Sequence, residues 1–189
     1  MPHKFEPCRK DNLDSPERHK ALPPETILSL LPLAPGQAVA DIGCGTGYFT
    51  LPLAAKLPRG RVFAVDISQE MLDSLRDRLA RSGDGNVQLV KSEELDIPLP
   101  PGSLDGALLS LVLHESEDSV AFLKAVKRLL RPGAWLGLVE WVKRETAVGP
   151  PLAERIAPAA ARALAEKAGL KAVTEKPLGA DFYFMLLQS

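Results

Sequence analysis

The sequence predicts an α/β fold in which a largely parallel sheet is covered by helices on both faces. Three observations lead there. Short β-branched or apolar runs alternate with longer helical patterns along the chain. No internal repeat of solenoid period interrupts that alternation. The chain has 189 residues, 46% hydrophobic and 25% charged, which is the size and composition of one globular domain able to bury a core without staples. Strand followed by helix, repeated, is the pattern of right-handed crossovers between parallel strands.

The first clear helical pattern covers residues 25–31 and leads into a strand at 37–42. A helix over 48–57 follows, and Pro52 within it predicts a late start or a bend, because its missing N–H is free of cost only in the first turn. Residues 61–66 read as the second strand, after which Ser68 caps a helix at 69–81. The third strand covers 87–92 and the fourth 104–113. Asp118 then caps a helix at 119–130, and the fifth strand runs over 134–142. Pro158 suits the first position of a helix at 158–168, which ends before Gly169, a residue able to take the left-handed C′ conformation. Strands at 171–176 and 181–188 are separated only by Pro177-Leu178-Gly179-Ala180, too short for a crossover, so the last strand runs antiparallel to its neighbour. Trp135 opens the fifth strand at the end away from the strand tips and is expected in the core.

Composition narrows the function. Twenty-three Lys and Arg against 24 Asp and Glu give a net charge of −1, so nothing draws the chain to phosphate backbones or anionic lipid, and neither nucleic acid nor stable membrane association is expected. The longest nearly unbroken apolar run, 107–113, is far short of the roughly 20 residues that span a bilayer. Residues 1–20 are rich in charges and prolines and do not resemble a secretory signal. The cysteines, Cys8 and Cys44, form no C-x-x-C pair, which fits two free thiols in a reducing compartment and no zinc module. A cytoplasmic protein without a metal is the expectation.

The informative segment is Val39-Ala40-Asp41-Ile42-Gly43-Cys44-Gly45-Thr46-Gly47-Tyr48-Phe49, where the first strand turns into a helix. Alternate glycines let the backbone bend sharply and let a ligand touch the main chain. A dinucleotide fingerprint places its third glycine at position 48, where this chain has Tyr48. Asp41 adds a carboxylate where a pyrophosphate needs positive potential. A cationic ligand without phosphate suits this loop better, and S-adenosylmethionine, with its sulfonium and ammonium, is one; an NAD-dependent oxidoreductase is disfavoured. Asp66, at the next strand end, can accept from two vicinal ribose hydroxyls. After the third strand, Glu93 and Glu94 offer an acceptor for an adenine amine, and the fourth strand leads into His114 and Glu115.

With the Asp41 to Gly47 loop, Asp66, the acidic turn at Glu93 and Leu130-Arg131-Pro132-Gly133 all in order, the chain resembles class I S-adenosylmethionine-dependent methyltransferases of the small ubiquinone-methyltransferase-like group, methyltransferase domain 11. The resemblance runs from about residue 25 to the end. It implies a doubly wound, Rossmann-like sheet of seven strands with S-adenosylmethionine as cofactor and a small-molecule methyl acceptor. It places Asp41 near the methionine end, Asp66 at the ribose, Glu93 or Glu94 at the adenine amine, Ile67 on the adenine, and the backbone near Leu111 at the methionine moiety. Gly43, Cys44, Gly45, Gly47 and Met71 complete the expected cofactor set. It also implies residues 1–24 as an N-terminal segment in a lid position, with an untethered tail the alternative for 1–10, and 25–189 as the methyltransferase domain.

Two readings of the acceptor side stand. His114 or Glu115 is a catalytic base at a strand end, where ligands of open α/β sheets bind, or His114 is packed and Glu115 serves a helix dipole. Glu140 and Trp141 close the fifth strand toward the same crevice, and Tyr183 is a further candidate. Two cysteines are too few for a trithiol arsenic site, and Leu113-His114-Glu115-Ser116 lacks the Asn or Asp, two prolines and aromatic of adenine-N6 methyltransferases. A non-catalytic S-adenosylmethionine-binding regulatory module is the alternative to an enzyme.

Overall fold

The computed structural model describes residues 15–83, 85–146 and 148–189; the thiol expected at Cys8 lies outside them. Strands β1 (Ala38–Ile42), β2 (Arg61–Asp66), β3 (Val87–Lys91), β4 (Leu104–Ser110), β5 (Leu130–Trp141), β6 (Lys171–Leu178) and β7 (Phe182–Gln188) form one sheet in the order β3-β2-β1-β4-β5-β7-β6. The first five are joined in parallel, and β7 runs antiparallel to both β5 and β6. The expected doubly wound sheet with an antiparallel final strand is what the chain adopts.

Helices α1 (Pro16–Ala21), α2 (Pro24–Leu28), α3 (Thr50–Lys56), α4 (Gln69–Ser82), α5 (Ser119–Leu129) and α6 (Pro158–Lys167) cover the two faces. Successive residues of β1 enter opposite cores, as the two-residue period of a strand requires. Ala40 and Ile42 join Leu123 and Val126 of α5 and Ala161 of α6, whereas Val39 joins Ile27 of α2 and Leu53 of α3. On that second side α4 lays Leu72 and Leu75 on Ala64 of β2. Coverage on both faces is why β1, β2 and β4 read as nearly continuous apolar runs. The crossover from β3 to β4 has no helix; buried Ile97 and Leu99 fill that space, and Arg128 of α5 donates to Ile97 O at 2.9 Å.

Local chemistry sets most boundaries where expected. Ser68 accepts from Met71 N, Asp118 from Val120 N and Ala121 N, Pro158 opens α6, and Gly169 is left-handed at φ +81°. Helix α3 starts late, at Thr50, which puts Pro52 in the first turn where its N–H is not missed. Pro177 lies within β6 instead of the turn, and is tolerated because β6 is an edge strand. Trp135 is buried, packed on Gly106, where a Cβ would meet its ring at 2.0 Å.

Helix α2 ends at Leu28, not 31, and three further features depart from expectation. Residues 16–21 form α1, with Ser15 accepting from Arg18 N and Pro16 at its first position. Strand β4 stops at Ser110, not 113, because Leu111 takes φ +60° and the chain enters a 3-10 turn at Leu113–Glu115. Strand β5 begins at Leu130, which pairs with Leu104 before Gly133, at φ +77°, interrupts the register up to Trp135. Since β1 feeds β2 on one side and lies beside β4 on the other, a crevice opens at their carboxyl ends.

Candidate active site

The loop after β1 is built for close approach. Gly43, Gly45 and Gly47 have φ of +71°, +53° and +91°, which other L-residues adopt only under strain. The space is also taken: a Cβ on Gly43 would stand 2.3 Å from Val112 Cγ2, and one on Gly47 2.3 Å from Leu75 Cδ1. Gly43 N and Cys44 N both donate to Val65 O, at 2.8 and 3.0 Å, tying the loop to the end of β2. Asp66 completes the tie, with Oδ2 accepting from Gly45 N at 2.8 Å and Oδ1 from Ser68 N at 2.7 Å. Burial raises the Asp66 carboxyl above its usual range against those backbone donors.

Asp41 sits beneath the loop, 2% exposed, with Thr50 Oγ1 donating to its Oδ2 at 2.6 Å. Burial pushes it from 3.8 up to about 6, the Thr50 bond opposing and the nearby Asp66 charge adding. The folded chain therefore holds a proton here that the unfolded chain has released, so stability falls as pH rises from about 4 to about 6, by about 3 kcal/mol for this group. Asp41→Asn is expected to flatten that slope, read from denaturant midpoints at pH 4, 5, 6 and 7. A slope equal to wild type would show that Asp41 is not its source. Cys44 is buried too, and burial with the charges of Asp41 and Asp66 raises its thiol far up, which disfavours the reactive thiolate.

A cavity of about 1390 Å³ opens above this loop. It joins most of the predicted residues: Gly43, Cys44, Gly45, Asp66, Ile67, Met71, Glu93, Glu94, Leu111, His114 and Glu115. Asp41 and Gly47 do not line it; Asp41 supports the loop through Thr50, and Gly47 packs on α4. Glu94 Oε1 accepts from Glu117 N at 2.8 Å, whereas the Glu93 side chain is 84% exposed and 3.9 Å from Lys91 Nζ.

Across the cavity, His114 is 8% exposed in the 3-10 turn. Its Nδ1 lies 2.8 Å from Glu140 Oε2 and 3.1 Å from Oε1, and its Nε2 is 4.0 Å from Glu115 Oε1. Burial lowers the imidazole's pKa, but the Glu140 hydrogen bond and the charges of Glu140, Glu115 and Glu154 outweigh it and hold the group above its ordinary value. Glu140 itself, expected to line the crevice, is fully buried behind His114; its neighbour Trp141 reaches the cavity. Tyr183 donates instead to Ile156 O at 2.9 Å, and burial raises its phenol.

The described end of the N-terminal segment lies against this cavity, whereas its helix and the part of Arg155 are not among the sequence expectations. Helix α1 contributes Ser15, Glu17 and Arg18, and is held by Tyr48 OH donating to Leu22 O at 2.8 Å with Arg18 4.5 Å over the Tyr48 ring. A second flap is fixed by buried Arg155, which donates to Pro150 O, Arg144 O, Thr146 Oγ1 and Val148 O at 2.6–3.0 Å and lies 5.0 Å over Trp141. The Ser15-Pro16-Glu17 cap sequence signals α1, whereas Arg155 works mostly through main-chain carbonyls, which leave no mark in a sequence. Two buried hydroxyls, Thr46 Oγ1 and Ser110 Oγ, line the cavity with no hydrogen-bond partner among the described residues. A polar ligand would relieve each of an unmet bond. The volume exceeds the roughly 300–1,000 Å³ usual for one small ligand and leaves room for two reactants. A nucleoside-bearing methyl donor therefore fits the residues present.

The order of the sheet, the loop after β1 and the carboxylate ending β2 define an S-adenosylmethionine-dependent methyltransferase of class I. A methyltransferase-domain family model matches residues 39–133, and the chain belongs to that family. Over 98% of its length, and 99% of the other's, it superposes on an S-adenosylmethionine-dependent methyltransferase from Aquifex aeolicus with TM-score 0.93 at 30% identity. It is 28% identical over 106 residues to a demethylmenaquinone methyltransferase from Lactococcus lactis subsp. lactis (strain IL1403), a match covering 56% of this chain and 42% of that one; the chain thus spans under half of this curated relative. An O-methyltransferase from neocarzinostatin biosynthesis, in complex with S-adenosyl-L-homocysteine and 1,4-dihydroxy-2-naphthoic acid, shares the fold at TM-score 0.77 and 23% identity, over 97% of this chain and 59% of that one. The cofactor is S-adenosylmethionine. Among the described residues no helix is long and apolar enough to cross a membrane, and no group of side chains is arranged to hold a metal.

Proposed function

We propose that the chain transfers a methyl group from S-adenosylmethionine to a small or medium-sized acceptor. The observation that carries the reading is that one cavity joins the glycine loop and Asp66 to His114 and Glu115. S-adenosylmethionine, when bound, supplies a methyl carbon already activated on a sulfonium sulfur, so the protein's work is positioning and exclusion of water. Gly43, Cys44 and Gly45 present backbone to the ligand, with Leu111 at the methionine end, and Asp41 supplies negative potential from below. Asp66 accepts from the ribose hydroxyls, Ile67 and Met71 pack on the adenine, and Glu93 accepts from its amine, since Glu94 is engaged with Glu117. His114 and Glu115 stand on the acceptor side. Residues 1–24 act as a lid, of which α1 is part, ahead of the methyltransferase domain at 25–189. The name of the Lactococcus relative supports a quinone-related ring as the first acceptor to try.

Calorimetric titration with S-adenosylmethionine, S-adenosylhomocysteine and NAD tests the cofactor half, followed by a screen of quinols, phenols, amines and thiols for release of S-adenosylhomocysteine. Binding of the first two and not of NAD is expected, with turnover on at least one class. NAD binding without response to S-adenosylmethionine would sink the reading, and cofactor binding without turnover on any class would favour a regulatory module.

A further inference from the structure

We infer that Glu140 is a positioning residue that aims the Nε2 lone pair of His114 into the cavity, making His114 the general base for an acceptor whose nucleophile keeps its proton at neutral pH: a hydroxyl, or a primary or secondary amine. The inference rests on the methyl-transfer reading above and extends it to the acceptor.

The geometry is specific. Glu140 is 0% exposed on β5, and its carboxylate faces three N–H groups: His114 Nδ1 at 2.8 and 3.1 Å, the His114 backbone N at 3.2 Å, and Trp141 N at 3.2 Å. A carboxylate so placed only accepts, so Nδ1 must be the protonated nitrogen in the neutral ring, and Nε2 is left bare. The two backbone bonds fix the carboxylate, and the carboxylate fixes the ring. A buried acid that orients a histidine and stabilises its cation is the logic of the serine hydrolase triad, reached here from different residues.

The charged groups around the ring serve the same end. Glu140 faces it from β5, Glu115 from its own turn and Glu154 from the segment before α6. Tyr183 on β7 is paired opposite Glu140 but stays neutral, its hydroxyl turned to Ile156 O. These three carboxylates favour the imidazolium that proton transfer leaves behind. In the balanced step, the acceptor oxygen or nitrogen forms its bond to the methyl carbon while the carbon–sulfur bond breaks and its electron pair returns to sulfur. The acceptor's proton passes to Nε2. Imidazole is closer in basicity to such nucleophiles than a carboxylate is, which selects His114 over Glu115. A thioether or tertiary amine has no proton to lose and gains nothing from this device.

Nitrogen-15 correlation spectra of the histidine rings in the full chain, assigned with His114→Ala, give a test that needs no acceptor. Wild type is expected to show neutral His114 protonated at Nδ1. In Glu140→Gln the Nε2–H form should grow and the titration midpoint should fall, because an anion beside the ring is gone. With an acceptor from the screen, Glu140→Gln should lower kcat by roughly tenfold to a hundredfold, and Glu140→Asp should restore part of it. Rates are taken per molecule competent to bind S-adenosylhomocysteine, so loss of fold does not count. The acidic limb of kcat should move to lower pH in Glu140→Gln, and the hydroxyl and amine arms identify the nucleophile. Neutral wild-type His114 protonated at Nε2, a Glu140→Gln tautomer unchanged from wild type, or an unchanged kcat would each overturn the inference. Failure of the underlying reading would appear separately, as no binding of S-adenosylhomocysteine.

Discussion

His114→Ala is expected to lower turnover by roughly 10²- to 10⁴-fold while the dissociation constant for S-adenosylhomocysteine stays near that of wild type. The split follows from the layout. The proposed cofactor half is the loop after β1 and the end of β2, held together by Val65 O and Asp66, and none of those bonds reaches His114. As the proposed general base, the imidazole would act on the acceptor's proton, so its loss would be felt in the transition state. Stability should fall as well, by roughly 1–3 kcal/mol, because the buried Glu140 carboxylate loses its ring partner while keeping two backbone donors. In wild type the pair's contribution to stability is fully present below the ordinary histidine pKa. It fades as pH rises through the higher midpoint of the folded chain, the same range in which the neutral base, and with it turnover, increases. A merely packed histidine predicts something else: a lower Tm, with turnover per folded molecule unchanged and independent of that midpoint.

What the sequence revealed, and what it hid, divides by range. The caps at Ser68 and Asp118, the proline opening α6 and the glycine after it are decided within a few residues, and the strand tips at Ile42 and Asp66 are marked by the polar or glycine-rich turns that follow. Leu111 looked like one more strand residue. Its left-handed φ is imposed by tertiary structure: Leu111 N still donates to Val139 O at 2.9 Å, after which the chain must turn so that Val112 can cover Gly43. That turn, invisible in an apolar run, is what brings His114 to the cavity. Glu140 was readable as a strand-end acid near the crevice, but its union with a histidine 26 residues away depends on the pairing of β4 with β5, which composition does not encode. Asp41 and Gly47 show the converse. The motif drew attention to both, yet one supports the loop from beneath and the other makes room for Leu75.

Asp66→Ala is expected to weaken S-adenosylhomocysteine by roughly a hundredfold or more, beyond what a ligand contact alone predicts. The proposed charge-assisted hydrogen bonds to a ribose would account for roughly 1.5–3 kcal/mol, or about tenfold to a hundredfold. The carboxylate also anchors Gly45 N and Ser68 N, so its removal frees the loop that the ligand must find in place, and the ordering is then charged to binding. Asp66→Asn, which can still accept from one of those donors, should fall between. Because burial already raises the Asp66 carboxyl, wild-type affinity should drop as pH is lowered through its midpoint, and the dependence should vanish in the alanine variant. The decisive measurement pairs the variant with a ligand lacking the ribose 2′-hydroxyl, closing a thermodynamic cycle. If Asp66 meets the ribose, the deoxy ligand is weaker than its parent on wild type and nearly equal to it on Asp66→Ala. Equal penalties on both proteins would leave Asp66 as a loop anchor only and move the ribose elsewhere in the cavity.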